Sequence, residues 1–172
     1  MRTAAFALVV SIAMAGCAAA QGRRASPHET TSATIDGARI TISYGRPYRR
    51  GRTIMGGLVP YGRVWATGAD EATTISTTKT LRIGGVDLPA GNYSLWTLPS
   101  PDRWKLIVNR QTGQWHTQYD RLQDLARLDM TKRQLARPVD QLTISIGKGS
   151  TGGGVLTIAW ETTEVSIPFA VE

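Results

Sequence analysis

The chain has 172 residues, and its 20 Lys and Arg against 13 Asp and Glu give a formal net charge of +7. Its single cysteine, Cys17, excludes an internal disulfide, and the two histidines are too few for a zinc site. The length suits one domain with a proper core, and no segment beyond the first 20 residues is apolar enough to cross a membrane as a helix.

Residues 1–20 have the pattern of an export signal. One positive charge precedes an apolar stretch that is too short for a permanent membrane helix but suits a signal peptide. Residues 14–17, Met-Ala-Gly-Cys, resemble the lipobox of bacterial lipoproteins, in which Cys17 is acylated. The alternative is cleavage after Ala20, which would release a periplasmic protein. We favour a lipid anchor in the cell envelope because Cys17 otherwise has no role in this segment. The outer membrane is preferred because Ala18 follows the cysteine, in place of the Asp associated with inner-membrane retention in some bacteria.

Residues 18–33 are small and polar without periodicity, and they predict a flexible linker that leaves His28 in solvent. The remaining residues, 34–172, form the predicted folded domain. Its basic excess favours anionic neighbours such as phospholipid head groups, lipopolysaccharide phosphates or acidic polymers, or else serves only solubility. An exported protein is not expected to bind nucleic acid.

Apolar and polar residues alternate in short runs through the domain, and turn residues separate the runs. Strands this short and evenly spaced predict an all-β fold, a single antiparallel β-sandwich of jelly-roll-like form. One short helical turn is predicted just before Asp124, so the domain has at most one short helix. The glycine-rich run 147–154 lacks the Lys-Ser/Thr ending of a phosphate-binding loop and predicts a hairpin connection. The predicted strands cover residues 40–44, 81–83, 86–88, 93–98, 104–108, 126–130, 142–146, 156–160 and 165–171.

The segment 44–75 carries the densest chemistry of the chain. It combines arginines, aromatic residues and two acids with many glycines, so most of it cannot be regular helix or strand. Arginine forks suit bidentate capture of carboxylate or phosphate, and aromatic rings suit stacking on a sugar or peptide. Alternatively, Arg46 and Arg52 pair with the two acids to stabilise the segment while the rings fill the core. The candidate ligand-binding residues are Arg46, Arg52, Tyr61, Trp65, Asp70 and Glu71, together with Trp115 and His116 from a later loop.

Three long stretches of the domain carry a family resemblance, namely GRP…GRTIMGGLVPYGRVWATGADEATTI, IGGVDLPAGNYSLWTLP and LTIAWETTEVSIP. They resemble the bacterial family catalogued as domain of unknown function 2911, and the resemblance covers residues 39–172. Members look like exported or lipid-anchored proteins, and the resemblance implies no activity. The sequence departs from the family pattern at Asp70, where Asn is expected, and at Ala66, where Arg is usual. The added charge at position 70 would alter ligand preference if that residue belongs to a shared site.

Catalytic chemistry has little support in these residues. Asp70 and Glu71 are adjacent, and adjacent side chains on a strand point to opposite faces, so they cannot form a carboxylate pair across a glycosidic bond. His116 is the one histidine of the predicted domain and is expected at the surface, although it could act as a lone acid or base. The sequence contains no serine elbow, cofactor motif or calcium loop, so we predict no cofactor and no metal.

Three functions remain open at this point. The first is a non-catalytic envelope module that binds an anionic polymer, a glycan or an envelope protein through segment 44–75. The second is an acid/base hydrolase or lyase that uses Glu71 or Asp70 with His116. The third is a structural scaffold within an envelope assembly. A high density of arginine and aromatic residues without catalytic machinery favours the first.

Overall fold

A computed structural model describes residues 26–172, which form nine β-strands and a single 3-10 turn. The 3-10 turn Arg121–Gln123 starts where the Asp120 side chain accepts a hydrogen bond from the Leu122 N–H. This part of the chain contains no helix that is long and apolar enough to cross a membrane. The strands are β1 His28–Ile35, β2 Ala38–Gly45, β3 Thr74–Thr77, β4 Leu81–Ile83, β5 Val86–Leu88, β6 Gly91–Leu98, β7 Trp104–Asn109, β8 Asp124–Lys148 and β9 Gly154–Val171.

The strands of residues 26–172 form one antiparallel sheet in the order β1-β2-β3-β6-β7-β8-β9-β4-β5. The order follows the chain except for the short β4–β5 hairpin, which joins the far edge beside β9. The 25-residue β8 links the two halves of the sheet, because its first part pairs with β7 and its later part with β9. Register shifts around Val139 interrupt the ladder, and such bulges bend a strand.

The sheet folds back on itself around an apolar core. Ile42 and Tyr44 of β2 are at most 2 % exposed and belong to the same buried cluster as Trp104 of β7 and Trp160 of β9. The Tyr44 hydroxyl accepts a 3.0 Å hydrogen bond from the backbone N–H of Ile144 in β8. Three strands separate β2 from β8 in the sheet order, so this contact requires the sheet to close into two layers.

The all-β antiparallel sandwich predicted from the sequence is confirmed. The predicted helical turn before Asp124 corresponds to the 3-10 turn, and a strand follows it as expected. The glycine-rich run 147–154 connects β8 to β9, and the Gly149 N–H donates to the Gly153 carbonyl at 2.9 Å. Alternation of apolar and polar residues, together with the turn residues, therefore predicts most of the strands.

The predicted linker, 18–33, is too long at its C-terminal end. β1 begins at His28 and pairs with β2 along its whole length. Hydroxyl groups bond across the two strands, as between Thr30 and Ser43 at 2.9 Å. A polar edge strand of this kind has no apolar alternation to reveal it in the sequence. The rest of the linker, the signal peptide and the lipobox fall within residues 1–25, which lie outside the described residues.

Candidate functional site

The connection from β2 to β3, residues 46–73, packs against the sandwich without forming a regular strand. Its middle is anchored in the core by Ile54 and Val59, which are 0 % and 2 % exposed, and the Val59 N–H donates to the Ile54 carbonyl at 2.9 Å. Further along, Trp65 pairs with Thr97 of β6 through two backbone hydrogen bonds of 2.8 Å. The connection is therefore a fixed part of the domain, able to hold side chains in set positions.

A second loop, residues 110–120 after β7, meets the end of this connection. The Ala72 N–H donates to the Gln114 carbonyl at 3.0 Å, and the His116 N–H donates to the Asp70 carbonyl at 2.9 Å. These backbone bonds bring together Asp70 and His116, which are 46 positions apart in the chain. Two candidate residues from separate loops thus share one site.

A cleft of about 360 Å³ is lined by the connection, by His116 and by Trp160 of β9. Its floor is aromatic, because the rings of Trp65 and Trp160 stack with centroids 5.9 Å apart and an interplanar angle of 21°. Tyr48 and Leu58 also line the cleft and are 39 % and 48 % exposed. The volume of the cleft lies within the roughly 300–1,000 Å³ typical of small-ligand sites. The exposed apolar side chains in the cleft form a surface that a bound ligand can cover.

Arg50 and Arg52 bring positive charge to the cleft. Arg52 donates from Nε to the Arg49 carbonyl at 3.0 Å and from Nη2 to the Tyr48 carbonyl at 2.7 Å. Within residues 26–172, its Nη1 makes no hydrogen bond and no carboxylate lies within 4.0 Å of its guanidinium. Neutral carbonyls hold this guanidinium in place, so its charge and two N–H donors are available to an anion.

Asp70 and His116 contribute a carboxylate and an imidazole to the same cleft. His116 donates from Nδ1 to the Asp70 backbone carbonyl at 2.7 Å, and because a carbonyl only accepts, Nδ1 carries the proton of the neutral ring. Nε2 of His116 then keeps its lone pair. The Asp70 carboxylate lies 3.2 Å from Nε2 of His28, and a carboxylate oxygen of Glu71 lies 3.4 Å from the same nitrogen. His28 therefore bridges two acids from the start of β1, and although it is exposed as the sequence predicted, it does not belong to a flexible linker.

Backbone strain is concentrated around the cleft. Among the described residues, five non-glycine residues have positive φ, and the Asp36 turn is the one remote from the cleft. Arg50 at 50° and Asp70 at 66° line the cleft, while Thr67 at 57° and Glu161 at 55° are chain neighbours of cleft residues. Each such residue costs about 1–3 kcal/mol, and a β-branched one such as Thr67 is especially unfavourable. Clustering of this kind is typical of functional sites.

A close crossing of two backbones positions Asp70. The Ala69 N–H donates to the Gly45 carbonyl at 3.3 Å where β2 ends. A Cβ atom at Gly45 would lie 2.1 Å from the Ala69 carbonyl oxygen, so the crossing has no room for a side chain.

Arg46 does not line the cleft. Its guanidinium donates to the Leu142 carbonyl at 2.8 Å, to the Glu29 carboxylate at 2.6 Å and to the Thr143 hydroxyl at 3.0 Å. These contacts tie the residue after β2 to β1 and to β8. Arg46 is therefore part of the closure of the sandwich.

The predicted pairing of Arg46 and Arg52 with Asp70 and Glu71 is wrong. Both acids face His28, since β1 brings its first residue to them, and the two arginines bind other groups. Within the part of the chain that the structure describes, no three His, Cys, Asp or Glu side chains are placed to hold a metal ion.

The other candidate residues lie in different parts of the structure. Tyr61 does not line the cleft and lies close to Gly56, where a Cβ would sit 2.8 Å from the tyrosine ring. Glu71 lines a separate, smaller cavity. Trp115 is 44 % exposed, and its ring centroid lies 5.2 Å from that of His116. Of the eight predicted ligand-binding residues, the cleft contains Arg52, Trp65, Asp70 and His116.

Several cleft residues were not singled out from the sequence. Trp160 alternates with polar neighbours in β9 as an ordinary core residue does, so nothing local marked it. Tyr48 is one of the aromatic residues of segment 44–75 that the sequence offers for stacking on a ligand. Leu58 belongs to the same segment, but nothing in the sequence indicated that it would be exposed beside arginines. His28 could have been found only with knowledge that β1 exists.

The fold and the cleft define a class of protein, a small antiparallel β-sandwich whose long connection builds an aromatic-floored, arginine-bearing cleft. A family described as protein of unknown function, DUF2911, matches residues 26–169, and the chain belongs to this family. The resemblance seen in the sequence is thereby confirmed. Comparison with curated proteins and with solved structures gives no match.

Proposed function

We propose that the protein is a binding module whose cleft takes a sugar ring bearing a carboxylate or phosphate group. The observation that carries this proposal is the Arg52 guanidinium, fixed by two backbone carbonyls and supplied with uncommitted N–H donors. The half-buried ring of Trp65, held by stacking on the buried Trp160, offers an apolar surface for the face of a pyranose. The Asp70 carboxylate and Nε2 of His116 offer acceptors for sugar hydroxyls.

The ligand is expected in the cell envelope. This part of the proposal rests on the predicted signal peptide at residues 1–20 and lipid anchor at Cys17. Acidic envelope glycans and lipopolysaccharide phosphates are then the available ligands of the right chemistry. Cells fed a palmitate analogue should label the wild-type protein and not a Cys17→Ser variant. Absence of label on the wild type would contradict the anchor and favour cleavage after Ala20.

Binding is tested with defined acidic sugars and the full chain. We expect digalacturonate to bind and the neutral digalactose to bind much more weakly, as measured by calorimetry. Arg52→Ala should weaken digalacturonate binding about tenfold to a hundredfold, because a charge-assisted contact is lost. Arg133→Ala is the matched control, since Arg133 of β8 pairs with Glu164 of β9 and does not line the cleft. Failure of digalacturonate, peptidoglycan and lipopolysaccharide all to bind, or normal binding by Arg52→Ala, would overturn the proposal.

A second candidate function is acid/base catalysis, and the meeting of Asp70 with His116 favours it. The fixed tautomer leaves Nε2 of His116 able to take a proton from a carbon beside a sugar carboxylate. In such an elimination the carbon–carbon double bond forms, the glycosidic carbon–oxygen bond breaks, and water protonates the leaving oxygen. Glu71 is excluded from this role because it lines the other cavity, beside His28.

Catalysis and simple binding are distinguished by product analysis. Oligogalacturonate is incubated with the wild type, with His116→Gln and with His28→Gln as the matched histidine control. Catalysis predicts unsaturated sugar from the wild type and from His28→Gln, and none from His116→Gln. Intact oligosaccharide after prolonged incubation with protein that binds it leaves the binding module as the function.

A further inference from the structure

A second cavity of about 240 Å³ adjoins residues 70–71, next to the cleft. Asp70 lines the cleft and Glu71 lines the second cavity, so adjacent residues of one chain segment form the wall between them. Ser43, Gly45 and Gly113 also line the second cavity. The two cavities are thus close neighbours.

The loop after β7 contributes to both sides of this wall. Gly113 lines the second cavity, His116 lines the cleft, and Trp115 lies between them in the chain. Trp115 pairs with Glu71 across the wall as an isolated β-bridge, and 44 % of its surface is exposed. An exposed indole in this position offers a stacking surface to a ligand that passes from one cavity to the other.

The second cavity has the character of a site for neutral or hydroxyl-rich groups. A Cβ atom at Gly113 would meet nothing within 4 Å, and this glycine has a φ of +81°, so its backbone presents an open surface. The Ser43 hydroxyl is on an exposed strand position and is paired with Thr30. Among residues 26–172, no arginine lines this cavity, whereas the Glu71 carboxylate and His28 do. The second cavity therefore suits sugar hydroxyls better than a second anionic group.

Resting on the proposed function, we infer that the cleft and the second cavity are successive subsites for one linear oligosaccharide in which a charged sugar is followed by neutral sugars. The chain of sugars places a charged unit against Arg52, crosses the wall over Trp115 and lays further units in the second cavity. The protein then recognises a polymer in preference to a single charged sugar. Affinity should rise with chain length until both cavities are filled.

The test compares galactose oligomers of increasing length that carry a single galacturonate at one end, on the full chain. Wild-type protein should bind the tetramer at least about tenfold more tightly than the dimer. Ser43→Trp fills the second cavity and should remove most of this gain while leaving dimer affinity unchanged. Trp115→Ala should also reduce the gain.

Thr41→Trp is the matched control for Ser43→Trp. Thr41 is two residues earlier on the same face of β2, its hydroxyl pairs with Ser32 across to β1 just as Ser43 pairs with Thr30, and it does not line the cavity. Equal affinity of dimer and tetramer for the wild type would overturn this inference and leave the proposed function intact. A length gain that survives in Ser43→Trp would overturn it as well. Failure of every oligomer to bind would instead remove the proposed function on which it rests.

Discussion

Two arginines that look alike in the sequence have different physical roles. Arg46 is held by a carboxylate, a hydroxyl and a carbonyl from two strands, so its charge is already compensated. Arg52 is held by carbonyls alone, and carbonyl dipoles satisfy its donors without cancelling its charge. The partner of each guanidinium therefore decides which arginine can bind a ligand. Loss of Arg46 is expected to affect stability, and loss of Arg52 to affect affinity.

The backbone at Asp70 gives a prediction that separates conformation from charge. Its φ of 66° is tolerated by Asn and Asp and is unfavourable for branched apolar residues. Asp70→Asn should change the free energy of unfolding by less than about 0.5 kcal/mol, whereas Asp70→Val should lower it by about 2 kcal/mol. Urea unfolding at neutral pH measures both. Equal losses in the two variants would show that the contact of the carboxylate with His28, and not the backbone conformation, determines which residue is tolerated at this position.

At the level of elements, the crossing of β2 with the connection predicts a sharp response at one glycine. Gly45→Ala should lower the free energy of unfolding by about 2–3 kcal/mol, because its Cβ would clash with the Ala69 carbonyl. The clash also displaces Asp70, so weaker binding of digalacturonate should accompany the loss. Gly147→Ala is the control, since a Cβ there meets nothing within 4 Å. A Gly45→Ala protein as stable as Gly147→Ala would contradict the crossing.

A polar network holds the turn between β7 and β8. The Asp124 carboxylate accepts hydrogen bonds from the Tyr119 hydroxyl at 2.6 Å, from Nε of Arg127 at 2.8 Å and from Nδ2 of Asn109 at 2.9 Å. The Tyr119 ring also packs on Trp96, with centroids 5.0 Å apart. Burial, followed by the hydrogen bond to Asp124, raises the pKa of Tyr119 from 10.0 to about 12. The folded state therefore favours the neutral phenol.

This pKa shift predicts how stability changes at alkaline pH. The folded pKa lies above the unfolded one, so the contribution of Tyr119 is complete below pH 10 and is lost as the pH rises towards 12. Because the side chain is partly exposed, we expect a loss of about 1–2 kcal/mol over this window. Urea unfolding of wild type and Tyr119→Phe from pH 9 to 12 measures it. The other tyrosines contribute equally to both proteins. Parallel stability curves for the two proteins would therefore contradict the pKa shift of Tyr119.

The same elements show what a sequence can reveal. Ile40, Ile42 and Tyr44 alternate with polar residues because one face of β2 meets the core, and that alternation is visible in the letters. β1 has polar side chains on an edge, so it left no such signal. For a similar reason, only part of the cleft could be predicted from the sequence. The composition of segment 44–75 indicated a site, but the meeting of Trp65 with Trp160 depends on closure of the sheet.

For the whole molecule, closure of the sheet is the step that creates the site. Long β8 pairs with β7 through one part and with β9 through the other, so both layers depend on the same strand. The cleft draws Trp160 from β9 and Trp65 from the connection after β2. A change that loosens the layers should therefore lower both stability and binding. Contacts between distant parts of the chain of this kind cannot be read from local pattern.

The contact that joins β2 to β8 tests this dependence. Tyr44→Phe removes the acceptor of the Ile144 N–H and leaves that donor buried without a partner, so the free energy of unfolding should fall by about 2 kcal/mol. Tyr93→Phe removes a hydroxyl bonded to the Pro89 carbonyl at the surface and should cost less than about 0.5 kcal/mol. The dependence of unfolding on urea concentration should keep its slope in both variants, because the same surface is exposed on unfolding. A Tyr44→Phe protein as stable as Tyr93→Phe would mean that apolar packing alone closes the sandwich.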